Sequence, residues 1–200
     1  IPALKAGAKP GGVYLGVAPD QNFTYIVALR PQMAFIVDIR RGNLLEHLMY
    51  KAVIELSADR AEFLSRLFSK KRPAGLGVSA TATNLFDAFD RADTSEVLYH
   101  LNVTAVQDQL VKRHGFALSA DDLEQLESIY YAFFWEGPGL RYSSAPVGFG
   151  GRGFGGTTFP SYEEMMLQTD LAGENRSYLA TEEGFRFLKD FEERNLIVPV

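Results

Sequence analysis

The chain has 200 residues, 46% of them hydrophobic and 22% charged, with a formal charge of −5 and no cysteine. That is the composition of a folded globular protein able to bury a core unaided. It excludes disulfide frameworks, cysteine-bound zinc, iron–sulfur clusters and thiol catalysis. No apolar run reaches the roughly 18 residues of a membrane span, and an acidic chain disfavours nucleic acid as the main partner. The charge is uneven: residues 1–72 carry eleven Lys/Arg against six Asp/Glu, and residues 73–200 carry nine against nineteen. Arg40, Arg41, Lys70, Lys71 and Arg72 are the basic residues that would favour an anionic ligand, unless they only solvate helix faces.

Residues 1–11, with Pro2, Gly7, Pro10 and Gly11, read as an irregular lead-in. Val13–Val17 is a short apolar run of the kind found in parallel strands covered on both faces. Ala18-Pro19-Asp20 then makes a turn, with Asp20 as N-cap of a helix over Gln21–Leu29 that Pro31 closes. Met33–Ile39 is a second strand ending near Asp38. The spacing of Leu44, Leu45, Leu48, Met49, Ala52 and Val53 predicts an amphipathic helix laid on the sheet, and Ser57 is positioned to cap the next one.

Helices are also predicted at Thr83–Ala92, Ser95–His114 and Ala120–Trp135, the last opened by Ser119, Asp121 and Asp122. None is followed by a clear strand, so residues 73–160 read as a helical insertion into an α/β core formed by 1–72 and 161–200. A long loop, Gly137–Pro160, contains the glycine-rich stretch Gly148–Gly156 with Arg152; it is either a lid or a plain loop. Ser161 with Glu164 forms a capping box, and Thr181 opens a helix leading to a third strand, Leu196–Val200. A start at Ile1 and an end on a strand are expected of a fragment with further strands beyond Val200. The expected setting is the cytoplasm; the oligomeric state is open.

The chemistry concentrates between Gly16 and Asp38. In nucleotide-binding α/β folds the first strand–helix turn approaches the ligand, and an acid after the second strand, roughly 20 residues on, accepts both ribose hydroxyls. Gly16 and Asp38 are 22 residues apart. Asp38 either binds a ribose in this way, or caps a loop and pairs with Arg40 or Arg41. Proline and Asp20 in the turn disfavour a pyrophosphate but suit a ligand carrying positive charge. Arg176, before a capped helix, either holds a substrate carboxylate or phosphate or forms a surface ion pair. The aromatic group Tyr130, Tyr131, Phe133, Phe134 and Trp135 reads as core rather than a platform for a base. His47, His100 and His114 lack metal-ligand spacing, and neither a phosphate-binding loop ending in Lys-Ser/Thr nor a Gly-x-Ser-x-Gly elbow occurs.

Over VYLGVAPDQNFTYI and AFIVDI the chain resembles the opening unit of class I S-adenosylmethionine-dependent methyltransferases. It departs from them in having Ala18, Pro19 and Asp20 where glycines are usual, and no acid near Leu15. The longer strings GVAPDQNFTYIVALRPQMAFIVDIRRGNLLEHLMYKAVIELSADRAEFLSRLF and ENRSYLATEEGFRFLKDFEERNLIVPV resemble a family of uncharacterised bacterial proteins with methyltransferase-like folds. The resemblance implies a Rossmann-like core with a helical insertion between its second and third strands. It implies a small-molecule ligand, S-adenosylmethionine or a related nucleoside. The ligand would be held by Gly16, Asp20, Asn22, Asp38 and Arg40, with Arg176 on the substrate side. The same features in a non-catalytic member would make a binding or assembly module.

Overall fold

The computed structural model describes residues 1–9, 11–18, 20–142 and 159–200. Three parallel strands, β1 (Val13–Gly16), β2 (Met33–Ile36) and β3 (Ile197–Pro199), pair in the order β1-β2-β3, with Leu15 opposite Phe35 and Phe35 opposite Val198. Helix α2 (Gln21–Leu29) joins β1 to β2. All the remaining helices but one lie between β2 and β3: α3 (Arg41–Leu56), α4 (Arg60–Leu67), α5 (Ala82–Asp90), α6 (Glu96–Asp108), α7 (Ala120–Glu136), α8 (Tyr162–Leu167) and α9 (Glu182–Glu193). The exception is α1 (Pro2–Gly7), a short helix where an irregular lead-in was expected; proline at its first turn is compatible with helix.

Both connections step the same way across the sheet, and right-handed crossovers therefore put the crossover helices on one face. Ala34, Ile36 and Ile197 point into that face and are buried. On the opposite face Val13, Leu15 and Val17 are 58%, 72% and 70% exposed. The expectation of a first strand covered on both sides is thus corrected: the outer side of β1 is largely exposed.

Helix α3 is also more deeply placed than its apolar spacing suggested. Every residue from Leu45 to Ile54 is buried, because α4, α6, α7 and α9 surround the helix that was expected to have a solvent face. The helices between β2 and β3 share one hydrophobic core with the sheet, from Ile36 and Met49 through Phe86 and Tyr130 to Phe185. Several charged residues caught in this packing are paired. Lys51 Nζ donates to Glu55 at 2.6 Å and to the Glu192 carbonyl, while Gln109 and His114 meet the other Glu55 oxygen at 2.7 and 2.6 Å. Arg60 is 2% exposed and uses all five of its N–H donors: on Glu182, and on the carbonyls of Leu179, Ala180, Val78 and Ala80.

Local signals set most helix starts. Ser119 with Asp122 and Ser161 with Glu164 form reciprocal capping boxes, and Thr181 accepts from the Gly184 N–H. Ser57 does not cap α4: its hydroxyl donates to the Val53 carbonyl at the end of α3, and Asp59 is the cap, accepting from the Glu62 N–H. The aromatic group on α7 divides, with Tyr130 and Phe133 in the core and Trp135 74% exposed. No described helix is long and apolar enough to cross a membrane. The glycine-rich stretch Gly148–Gly156 lies outside the described residues.

Candidate functional site at the strand ends

The loops leaving β1 and β2 meet above the first turns of α3. The β1 loop is clipped by Asn22, whose Oδ1 accepts from the Tyr14 hydroxyl at 2.8 Å and whose Nδ2 donates to the carbonyls of Val17 and Ala18 at 3.0 and 2.6 Å. Gly16 makes room for this clip, since a Cβ there would lie 2.1 Å from Asn22 Oδ1. Ala18 stands at φ 70°, taking the left-handed conformation that a glycine would take at no cost and a Cβ disfavours by about 1–2 kcal/mol. The glycine pattern is eroded, yet the turn is kept.

Asp38 closes the second loop. One of its oxygens accepts from the Arg40 N–H at 2.9 Å and the other from the Asn43 side-chain amide at 2.6 Å, which ties the loop to the start of α3. Burial opposes its ionisation. The Arg40 and Asn43 hydrogen bonds, the Arg40 charge and the Ala18 N–H together outweigh that and hold the carboxyl below its ordinary range. Four of the sequence-predicted residues, Gly16, Asn22, Asp38 and Arg40, thus belong to this pair of loops. Arg41 is turned away into a two-pronged ion pair with Asp122 at 2.8 and 2.9 Å. Arg176 is exposed and paired with Asp170 at 3.1 Å, and no described contact joins it to the strand ends.

Asp20 occupies the N-cap position of α2 but makes no capping bond; its side chain turns inward and is 2% exposed. There it meets Glu46, on the second turn of α3 and 8% exposed. The Tyr142 hydroxyl lies 2.8 Å from the Tyr50 hydroxyl and favours the ionised form of both carboxyls. Burial, relieved only in part by Tyr142 and the loop N–H groups, pushes Asp20 up to about 7. Burial and the Asp20 charge push Glu46 up to about 8. Asp20 Oδ2 and Glu46 Oε1 have no hydrogen-bond partner among the described residues.

His47 links this interior pair to the loop. Its Nε2 lies 3.1 Å from the Ala18 carbonyl, and because a carbonyl can only accept, Nε2 carries the proton and Nδ1 is a bare acceptor. Burial lowers the imidazole below its ordinary value against the pull of Ala18 and Asp38, leaving it neutral at pH 7. Around the cluster, Phe23 packs edge-on against His47, Tyr50 and Tyr178, and the Tyr162 and Tyr178 hydroxyls lie 2.6 Å apart. Burial raises all of these buried tyrosines well above the usual phenol range.

Glu46 and Tyr142 carry no motif. The available signal was a charged residue, Glu46, set beside His47 in the otherwise greasy run LLEHLMY. Among the described residues, no group of three or more His, Asp or Glu is gathered as metal ligands would be.

The arrangement defines an α/β protein whose parallel strands end on a carboxylate-rich site. Residues 2–122 match a family described as a domain of unknown function (DUF7790), and the chain belongs to that family. The matched part holds Gly16 through His47, while Tyr142 and Arg176 lie beyond it. No curated protein and no solved structure matches the chain.

Proposed function

We propose that this protein binds a nucleoside bearing a positive charge, S-adenosylmethionine or a close relative, at the C-terminal ends of β1 and β2, in a Rossmann-like core of methyltransferase type. The observation that carries this reading is the position and state of Asp38: a carboxylate held ionised at the end of the second parallel strand, touching the loop that leaves the first. Ligands of open α/β sheets bind at such strand ends. A carboxylate offers about four acceptor positions, so the Arg40, Asn43 and Ala18 donors leave room for one ribose hydroxyl, and a second would have to displace one of them. The ionised Asp38 makes the charge at the site negative, which suits a sulfonium and an ammonium and repels a pyrophosphate. Arg176, in this reading, reaches an anionic substrate only by leaving Asp170.

The test is calorimetric titration with S-adenosylmethionine and S-adenosylhomocysteine, repeated on Asp38→Ala, with circular dichroism to verify that the variant folds. Binding lost in a folded variant supports the reading. Silence in the wild type sinks it. A second reading, a non-catalytic assembly module of the same fold, is favoured by the bare sheet face at Val13, Leu15 and Val17. Self-association that disappears on Leu15→Lys would support it.

A further inference from the structure

We propose that the exposed face of α7 is a docking surface for an arginine-bearing basic segment of another protein. The segment stacks a guanidinium on the ring pair Tyr131–Trp135 and sets a second cation against Glu124 and Glu127. The inference goes beyond the nucleoside reading and does not depend on it.

Trp135 is the sole tryptophan of the chain and is 74% exposed; Tyr131, one turn before it, is 45% exposed. The two rings are stacked, with centroids 6.2 Å apart and planes inclined by 19°. They are also anchored. Tyr131 packs edge-on against Tyr99 at 5.8 Å, and Phe134 meets both rings. Tyr99 in turn stacks on Tyr130, which is fully buried and donates from its hydroxyl to the Arg66 carbonyl. The pair is thus a platform fixed to the core, and little side-chain entropy is lost when a partner covers it. Rigid aromatic groups of this kind are enriched at protein interfaces.

Charge decides what covers it. Helix α6 carries two Asp/Glu and α7 five, and neither has a Lys or Arg. Asp122 is engaged by Arg41 and Asp108 by Lys112. Glu124 and Glu127 are exposed and make no ion pair among the described residues. They lie two turns and one turn before Tyr131, on the same face of the helix. The fold also shows what a completed platform looks like. On α9 the stacked pair Phe187–Phe191, likewise one turn apart, has the Arg30 guanidinium 4.8 Å from the centre of the Phe187 ring. No such cation stands over Tyr131 or Trp135 among the described residues. A partner's arginine would complete the same stack, the cation drawn both to the ring face and to the neighbouring carboxylates. From Glu127 to Trp135 the helix rises about 12 Å, which an extended segment crosses in about four residues. The partner therefore presents basic residues three or four apart.

Other occupants fit less well. Two copies of this face would set their acids against each other. A single-stranded nucleic acid would stack its bases on the rings but bring its phosphates against the same carboxylates. An uncharged apolar segment would use the rings and leave the acids without a counter-charge.

Because Trp135 is the only tryptophan, its fluorescence reads the platform directly. The full chain is titrated at low salt with a capped tetra-arginine peptide, against capped tetra-lysine, tetra-glutamate and an oligothymidylate. Tetra-arginine is expected to give a saturable change, with an affinity about threefold or more above that of tetra-lysine. Binding should weaken at about 0.5 M NaCl. Tyr131→Ala, which keeps the reporter, and the double variant Glu124→Gln/Glu127→Gln should each lower the affinity about fivefold or more. All three positions are exposed, and circular dichroism verifies that the variants fold. No response to tetra-arginine at millimolar concentration, equal affinity for tetra-lysine, or a response that both variants retain would overturn the proposal. A stronger response to the oligothymidylate would assign the platform to nucleic acid and overturn it as well. So would a tryptophan signal that changes on dilution of the protein alone, which would assign the face to a second copy.

Discussion

Replacing Glu46 by glutamine should make the protein more stable at neutral pH. Glu46 ionises near 4.5 in an unfolded chain and at about 8 in the fold, where burial and the Asp20 charge oppose its ionisation. Between those values the folded state holds a proton that the unfolded state has released, so stability falls as pH rises. The loss begins near pH 4.5 and is complete near pH 8. At about 1.4 kcal/mol per pH unit, the cost at pH 7 is about 3 kcal/mol from Glu46. Asp20 adds to it, though not independently, since the two acids share one site. Glutamine keeps the shape and cannot ionise, so Glu46→Gln is expected to gain about 1–3 kcal/mol at pH 7 and nothing at pH 4. Urea denaturation at pH 4, 5, 6, 7 and 8 on both proteins reads this directly. A difference that does not change with pH, or a variant weaker than wild type only at pH 7, would refute the reasoning. The expected gain also bears on function, because stability given up at a buried acid pair is characteristic of a site kept for binding.

Two further substitutions test how the scaffold is held. Arg60→Met should cost about 3–5 kcal/mol, since it strands the buried Glu182 and four carbonyls that Arg60 now satisfies. Arg60→Lys, with three donors for five acceptors, should recover only part of that; a loss below about 1 kcal/mol by urea denaturation for the methionine variant would contradict the five-bond account. Gly16→Ala should cost about 1–3 kcal/mol, because its Cβ would fall 2.1 Å from Asn22 Oδ1 and break the clip on the β1 loop. Unchanged stability together with an unchanged Tyr14–Asn22 contact by NMR would show that the loop yields more easily than its hydrogen bonds imply.

What was legible in the sequence is what short-range chemistry controls. The three strands, the α2 turn and the caps at Ser119, Ser161 and Thr181 follow from apolar runs, proline placement and side chains that satisfy helix N–H groups a few residues away. Gly16, Asn22, Asp38 and Arg40 could be placed together at the strand ends for the same reason, since a strand-end loop is a local object. Asp20 was read both as a helix cap and as a ligand-holding residue; only the packing of α3 beneath the loop shows its side chain turned inward and buried. The apolar spacing of α3 pointed to a one-sided helix, because periodicity registers which residues are greasy and not how many neighbours will enclose them. Glu46, His47 and Lys51 are buried because α4, α6, α7 and α9 close around α3, a consequence of long-range packing. The exposed outer face of β1 is likewise a matter of topology: three strands advancing in one direction with right-handed crossovers receive their crossover helices on one side. The sequence by itself determined the local elements and the loop that Asp38 closes. Tertiary structure decided that acids from α2 and α3 meet under a tyrosine from beyond α7, since only the folded chain brings such distant residues into one low-dielectric site.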